Sequence, residues 1–140
     1  MARILGIDYG TRRIGLAHTD IDQLISSPLD TVSSNEIFNY LTDYFMKESI
    51  ECIIVGEPKT LNNKPAQISE KIKSFVLKLK KMFSKPIYMV DERFTSKIAL
   101  KTMISLNTKK KDRRNKQNID KISAALILQS YIDRKKRNLI

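Results

Sequence analysis

The sequence predicts a mixed α/β fold, a five-stranded sheet with helices on its faces. Two observations predict it. The first third of the chain consists of short apolar runs separated by turns, which is typical of strands joined as hairpins. The remainder alternates apolar runs with segments of helical periodicity, which predicts βα units. The predicted order is β-β-β-α-β-α-β-α-α, so we expect a mixed sheet whose first three strands are antiparallel.

Local signals define the strands. We predict strands at residues 3–8, 14–19, 25–32, 52–56 and 87–90. A turn containing Gly10 joins the first two, and Pro28 places the third at an edge because proline donates no hydrogen bond. The last two strands are apolar throughout, which predicts burial on both faces, with Cys52 as a small core residue. Ser33 and Glu36 have the spacing of a capping box, which predicts the start of a helix.

Four helices complete the predicted fold, and the first keeps its apolar residues from Ile37 to Phe45 on one face. The second starts at Pro65, with lysines opposite its apolar stripe. That stripe is formed by Ile68, Ile72, Phe75, Val76, Leu79, Met82 and Phe83. A shorter helix, a basic loop and the final helix are predicted at 96–106, at 107–116 and from residue 118. No boundary divides the chain, so we expect one domain over residues 1–140.

Composition limits the classes of function. No apolar run is long enough to span a membrane, and the apolar stretch at the N-terminus is short and ends at an acid, unlike a signal peptide. A single cysteine excludes an intramolecular disulfide and fits a reducing cytoplasm, where we expect the protein. The net charge of +11 favours a polyanionic partner, usually nucleic acid, and no membrane.

The positive charge is concentrated in one segment. Residues 93–116 contain nine basic residues and a single acid, Asp112. Such a segment would hold phosphates by charge, with affinity that depends on salt rather than on base sequence; the alternative is a solvated loop. Together with two arginines of the first turn, the predicted nucleic-acid-binding residues are Arg12, Arg13, Arg93, Lys109, Lys110, Lys111, Arg113, Arg114 and Lys116.

Three acids stand at the ends of predicted elements. Asp8 closes the first strand, Glu92 follows the last strand, and Asp120 lies in the first turn of the final helix. Ligand sites of α/β sheets lie beyond the carboxyl ends of the strands. Small residues one turn after Asp120, Ala124 among them, would let this helix lie close to the sheet and bring the Asp120 carboxylate to the strand ends.

Convergent carboxylates need a cation between them, because they repel one another where water is scarce. Their hard oxygen atoms select Mg²⁺ or Mn²⁺, and beside a basic surface this chemistry favours two-metal hydrolysis of phosphodiesters. Each acid alone also fits a structural role. Asp8 could be a turn residue, Glu92 could form a surface ion pair, and Asp120 could stabilise the helix dipole from the first turn.

Four segments of the chain have the order and spacing of family motifs. They are Asp-Tyr-Gly-Thr-Arg-Arg-Ile-Gly-Leu-Ala at 8–17, Val-Gly-Glu-Pro at 55–58, Asp-Glu-Arg-Phe-Thr-Ser at 91–96, and the helix from Lys116 to Tyr131. Over nearly the whole chain, these segments resemble the YqgF/RuvX family of pre-16S rRNA nucleases and Holliday-junction resolvase-like proteins. The resemblance implies a ribonuclease H-like fold, a divalent metal and a structured nucleic-acid substrate. It also implies that Asp8, Glu92 and Asp120 are the catalytic metal-binding acids and that Arg93 positions phosphate.

One segment departs from the family pattern. Glu57 stands where an apolar residue is usual, and the loop after Pro58 lacks the expected glycine. In a ribonuclease H-like sheet the fourth strand neighbours the first. Glu57 would then be a fourth or outer-shell carboxylate beside Asp8, and the alternative is an acid that faces solvent.

Other functions fit parts of the pattern. Residues 8–11 also resemble the first phosphate loop of actin-like ATPases and sugar kinases, but those enzymes close two such domains around ATP, and this length supplies one. The basic segment alone would suit a catalytically silent nucleic-acid-binding module. Processing of the pre-16S rRNA 5′ end is favoured over cleavage of branched DNA, and both a monomer and a homodimer stay open. His18 is predicted to be a hydrogen-bonded structural residue, and Tyr9 either stacks on a base or packs the turn.

Overall fold

The computed structural model describes residues 2–57, 67–91 and 116–136, with the backbone alone at 57, 67–69, 91 and 116–120. The elements are β1 (Arg3–Asp8), β2 (Arg13–Thr19), β3 (Ser26–Ser33), α1 (Ile37–Lys47), β4 (Ile50–Glu57), α2 (Gln67–Phe83), β5 (Ile87–Asp91) and α3 (Lys116–Lys136). The predicted helix at 96–106, most of the basic loop and the predicted helix start at Pro65 lie outside the described residues.

The five strands form one sheet in the order β3-β2-β1-β4-β5. β1 pairs antiparallel with β2, and β2 with β3, whereas β1 and β5 both pair parallel with β4. The predicted mixed sheet with three antiparallel strands at its start is therefore confirmed. β3 lies at an edge, as Pro28 predicts, and β1 is the central strand.

Each face of the sheet has its own core. On one face α1 and α2 cover side chains that include Leu5 and Ile7 of β1. On the other face α3 covers Ile4 together with Cys52 and Ile54 of β4. Because strand side chains alternate between faces, the even-numbered positions of β1 belong to the α3 face. Asp8 is the last of these positions.

Two helices start at residues other than those predicted. α1 begins at Ile37 with no side-chain hydrogen bond at its N-cap, so the capping-box prediction for Ser33 and Glu36 is wrong. Ser33 is the last residue of β3, and its hydroxyl and carbonyl accept hydrogen bonds from the N–H groups of Asn35 and Glu36 in the turn before the helix. α3 begins at Lys116 rather than near residue 118, because lysine and glutamine are good helix formers that extend it into the predicted loop.

Burial confirms most of the predicted core but not all of it. Cys52 and the first helix face are buried, as expected. In β5, however, Tyr88 and Met89 are 47% and 42% exposed, because β5 is the last strand in the sheet order, and an apolar run does not distinguish an edge strand from a central one. Met82 is 45% exposed because it lies at the margin of the α2 stripe. No helix in the described parts of the chain is long and apolar enough to cross a membrane.

Candidate active site

Asp8 lies at the carboxyl end of the central strand, between two glycines of the neighbouring strands. Its partner in β2 is Gly15 and its partner in β4 is Gly56. Directly paired residues of neighbouring strands place their side chains on the same face, so the two positions that flank Asp8 there have no side chain. The partly buried Asp8 therefore stands beside a gap in the side-chain layer on this face of the sheet.

At Gly6, two residues before Asp8, α3 packs tightly against the sheet. A methyl group at Gly6 would lie 2.8 Å from the Cβ atom of Leu128 and 3.3 Å from the carbonyl oxygen of Ala124. Both distances are shorter than ordinary van der Waals contact, so only glycine permits this approach. The prediction that small residues after Asp120 let the final helix lie close to the sheet is consistent with this contact.

The direction of α3 follows from contacts further along it. Ser26 pairs with Thr19, at the amino-terminal end of β1, and its hydroxyl donates to the carbonyl of Ala125 at 2.8 Å. Near the end of α3, Lys135 lies 3.9 Å from Glu51 at the start of β4. The second half of α3 therefore covers the amino ends of β1 and β4, and its first half covers their carboxyl ends.

This direction carries the backbone of Asp120 to the Asp8 edge. Residue 120 lies one turn before Ala124, about 6 Å further along the helix axis, while Asp8 lies roughly 7 Å beyond Gly6 along β1. Asp120 is the fifth residue of α3, so its predicted place in the first turn is wrong, and a role at the helix dipole loses its basis.

β5 ends at the same edge. Its last residue, Asp91, pairs with Glu57, one step beyond the pair formed by Gly56 and Asp8. Glu92, the next residue, lies outside the described residues. Because β4 neighbours β1, the premise behind the Glu57 prediction is confirmed for the backbone. Among the side chains that the structure describes, no group of three His, Cys, Asp or Glu residues is arranged to hold a metal ion.

Two of the predicted nucleic-acid-binding residues lie where β2 begins, Arg12 in the turn after β1 and Arg13 as the first residue of β2. Ser34 fixes this turn, since its hydroxyl donates to the carbonyl of Thr11 at 2.8 Å and its N–H donates to the carbonyl of Arg12 at 2.9 Å. A side chain at Gly10 would collide with the carbonyl oxygen of Arg13. Arg12 is exposed and Arg13 half-buried, both just past Asp8.

Of the other predicted phosphate-binding residues, only Lys116 lies in the part of the chain that the structure describes. Lys116 is the first residue of α3, at the end of the helix that approaches the Asp8 edge. Five positions of the basic loop and Arg93 lie outside the described residues, namely Arg93, Lys109, Lys110, Lys111, Arg113 and Arg114.

His18 lies away from this edge and has a structural partner. Its Nδ1 atom forms a hydrogen bond of 2.7 Å with the hydroxyl of Tyr44 in α1. Burial lowers the pKa of His18 below its usual value, and the nearby Arg3 guanidinium lowers it further, against an opposing effect of Glu48. Burial also raises the pKa of Tyr44. Both rings are therefore neutral at physiological pH, which fits the predicted structural histidine.

Tyr9 packs rather than projecting freely. Its ring lies 4.9 Å from that of Phe75 in α2, measured between centroids, and it stays partly exposed. The sequence alone does not decide between the two roles of Tyr9. It also gives no sign that Gly15 and Gly56 flank Asp8, because only the strand register makes these residues its neighbours.

A central strand that ends in an acid, flanked by antiparallel and parallel neighbours and covered by a close helix, defines a ribonuclease H-like domain. Solved structures share this fold. Thermus thermophilus RuvC in complex with a Holliday junction substrate matches with a TM-score of 0.60 at 15% identity, covering 96% of each chain. The fowlpox virus Holliday junction resolvase matches with a TM-score of 0.55 at 16% identity, covering 95% of this chain and 99% of that one.

Sequence comparison identifies the family. The chain belongs to the RuvX family, whose model, described as Holliday junction resolvase, matches residues 2–134. Relatives that bear the name "Putative pre-16S rRNA nuclease" are 49% identical in Flavobacterium psychrophilum and 47% identical in Bacteroides thetaiotaomicron. The alignments cover 96% and 97% of this chain and 99% of each relative. The resemblance drawn from the four motifs is confirmed.

Proposed function

We propose that this protein is a divalent-metal-dependent nuclease that hydrolyses phosphodiester bonds in a structured nucleic acid. The observation that carries the proposal is Asp8 at the end of the central strand, with glycine on both sides and with α3 packed tightly against Gly6. We infer from the direction of α3 that Asp120 lies toward the same edge. Membership of the RuvX family supports it.

Asp8, Glu92 and Asp120 are the proposed metal ligands. Tyr88 and Val90 of β5 pack on the face of the sheet that α3 covers. If the alternation of side chains between faces continued past β5, Glu92 would lie on the same face as Asp8. The donor set fits Mg²⁺ or Mn²⁺, because carboxylate oxygens are hard ligands and the glycine gap leaves room for them. A pair of such ions would lower the pKa of a water molecule and offset charge on the leaving oxygen.

The basic residues supply phosphate binding. Arg12 stands on the turn that Ser34 fixes and Arg13 begins β2, so both would hold the phosphate next to the scissile bond. Arg93 and the lysines and arginines of the basic loop would hold more distant phosphates, with an affinity that falls as salt rises. These contacts orient the strand without selecting its sequence.

Glu57 stays a testable prediction. The register places its backbone opposite Asp91 and one step past Asp8, close enough for an outer-shell role. Position 57, however, shares its strand parity with Ile53 and Val55, whose side chains belong to the α1 and α2 face. Full cleavage and full metal affinity in Glu57→Gln would end the hypothesis.

The substrate that we favour is the 5′ end of pre-16S rRNA, in the cytoplasm. The curated relatives that match this chain over nearly their whole length are named as pre-16S rRNA nucleases. A four-way DNA junction is the second candidate, because the family model and the fowlpox virus neighbour are described as Holliday junction resolvases. The Thermus thermophilus neighbour is described in complex with a Holliday junction. A resolvase would need two active sites and hence a symmetric homodimer, whereas an RNA nuclease does not require one.

Cleavage of the two substrates side by side tests the proposal. A pre-16S rRNA fragment and a four-way junction are each incubated with wild type and Asp8→Asn, with Mg²⁺ and with EDTA. We expect Mg²⁺-dependent cleavage of the RNA that Asp8→Asn lowers at least a hundredfold, with binding retained. Tight binding without cleavage of either substrate would mark a silent binding module and overturn the nuclease proposal.

A further inference from the structure

A second concave surface lies on the opposite face of the sheet from α3, yet near the same edge as Asp8. It is a groove of about 470 Å³ between α1, α2 and the carboxyl end of β1. Tyr9 lines it, and Tyr9 directly follows Asp8 in the chain. The groove therefore opens beside the proposed active site rather than at a distant surface.

Aromatic rings form the inner surface of the groove. Phe75 has Tyr9 at 4.9 Å and Phe38 at 5.5 Å between ring centroids. Phe75 is buried, whereas Tyr9 and Phe38 are half-exposed, so part of each outer ring is accessible from the groove. The Nζ atom of Lys78 lies 4.3 Å from the centroid of the Phe38 ring, so this ring already offers its face to a cation.

Polar and positive groups form the rim. Lys71 and Lys78 of α2 are exposed and lie seven residues apart on one side of that helix, with Ser74 between them. Ser34 lines the far side and ties the groove to the turn that carries Arg12. One acid, Glu70, also lines it, so the rim has a net positive charge.

We infer that this groove binds one nucleotide of the substrate strand, with its base on the aromatic surface and its phosphate at Lys71 and Lys78. Aromatic faces stack on bases of any sequence, and ammonium groups hold phosphate, so the combination suits an unpaired nucleotide. A base would take the place of the Lys78 ammonium over Phe38, and this ammonium would pair with the phosphate. The volume lies in the range of small-ligand sites.

The inference rests on the proposed nucleic-acid substrate and adds a subsite to it. Because Tyr9 follows Asp8, a strand whose phosphate lies at the acids can pass over the end of β1 and place a neighbouring nucleotide in the groove. A free mononucleotide has the same chemistry as a nucleotide of the strand, so the experiment includes both.

The test uses paired charge variants of α2 in an Asp8→Asn background, where cleavage does not interfere with binding. Lys71→Gln with Lys78→Gln removes the two rim charges. Lys73→Gln with Lys80→Gln is the matched control, because these lysines are exposed, equally spaced on the same helix and not among the groove residues. A fluorescent single-stranded RNA, the same RNA with abasic positions, and AMP are the probes, followed by fluorescence anisotropy and calorimetry across a salt series.

We expect the rim pair to weaken binding of the RNA roughly tenfold and to lower the slope of log affinity against log salt by about one, since one phosphate contact is lost. The control pair should bind within about twofold of the parent protein. Phe38→Leu should weaken the normal RNA roughly fivefold and leave the abasic RNA unchanged. Equal effects of the two lysine pairs, or equal binding of abasic RNA, would overturn the inference. So would AMP binding that depends on Lys71 and Lys78 while binding of the RNA does not.

These outcomes separate the groove from the nuclease proposal. If the wild type cleaves but the rim pair behaves as its control, the groove inference fails alone. If the rim pair and Phe38→Leu weaken RNA binding while the wild type never cleaves, the nuclease proposal fails and the groove inference stands.

Discussion

The contact between Gly6 and α3 gives a quantitative test of how the site is positioned. In Gly6→Ala the new Cβ atom would lie 2.8 Å from the Cβ of Leu128, and ordinary contacts begin near 3.4 Å. The Cβ of Leu128 is fixed to the helix backbone, so a change of rotamer gives no relief. Strand and helix have to separate by at least about 0.6 Å.

This separation would affect both the stability of the fold and the rate of cleavage. Added volume in a packed core costs about 1–3 kcal/mol of unfolding free energy. A displacement of α3 also moves Asp120 relative to Asp8, and a misplacement near 1 Å costs up to about a hundredfold in rate. We therefore expect Gly6→Ala to stay folded but to lose at least roughly tenfold in cleavage rate.

Urea unfolding and single-turnover cleavage on the same samples test this. Ile53→Val is the matched control, because this β4 residue is fully buried on the opposite face, and the substitution costs about 0.5–1.5 kcal/mol. The control should cleave at the wild-type rate. Wild-type stability and rate in Gly6→Ala would refute the close approach of α3. If Gly6→Ala were destabilised but cleaved as fast as Ile53→Val, the conclusion that Gly6 positions Asp120 through α3 would be refuted.

Three further predictions concern the rest of the described structure. Because burial lowers the pKa of His18 below its usual 6.5, the unfolded chain binds more protons just below that pH. Unfolding free energy should therefore fall as pH drops below about 6.5, less steeply in His18→Gln, as urea titrations at about pH 5.5 and 7.5 would show; equal slopes would contradict this. Burial raises the pKa of the Cys52 thiol to about 11, so iodoacetamide should label it only in denaturant, and labelling of the native protein would contradict its burial. Glu48→Gln removes a 3.0 Å ion pair with the partly exposed Arg3 and should cost less than about 1 kcal/mol by thermal unfolding, since Arg3 keeps a hydrogen bond to the carbonyl of Thr19; a larger loss would contradict this.

The sheet was predictable because its signals are local. Pro28 excludes a central position for β3, Gly10 allows the tight first turn, and successive apolar runs with helices between them lead to parallel pairing. Burial of β5 was not predictable in the same way. An apolar sequence can form either a central strand or an edge strand. Only the order of the strands in the sheet shows that β5 is the last one.

The candidate site was predictable in its acids and not in their surroundings. Asp8 and Asp120 were visible in the sequence as acids near element ends, and the direction of α3 is consistent with their convergence. The gap around Asp8 depends on register, which pairs it with Gly15 and Gly56 across two different strands. The predicted N-cap of α1 was wrong because it also depends on strand pairing. Ser33 pairs with Arg13 of β2, so it belongs to β3 and not to the start of the helix.

Metal affinity of single-acid variants is the most direct test of the central claim that three acids converge on one metal centre. Mn²⁺ binding to Asp8→Asn, Glu92→Gln and Asp120→Asn would be followed by electron paramagnetic resonance, with the exposed Asp43→Asn on α1 as the charge-matched control. Each of the three variants is predicted to bind Mn²⁺ at least tenfold more weakly than wild type, and the control to match it. Wild-type affinity in any one of the three would show that its carboxylate is not part of the metal centre and would contradict the claim.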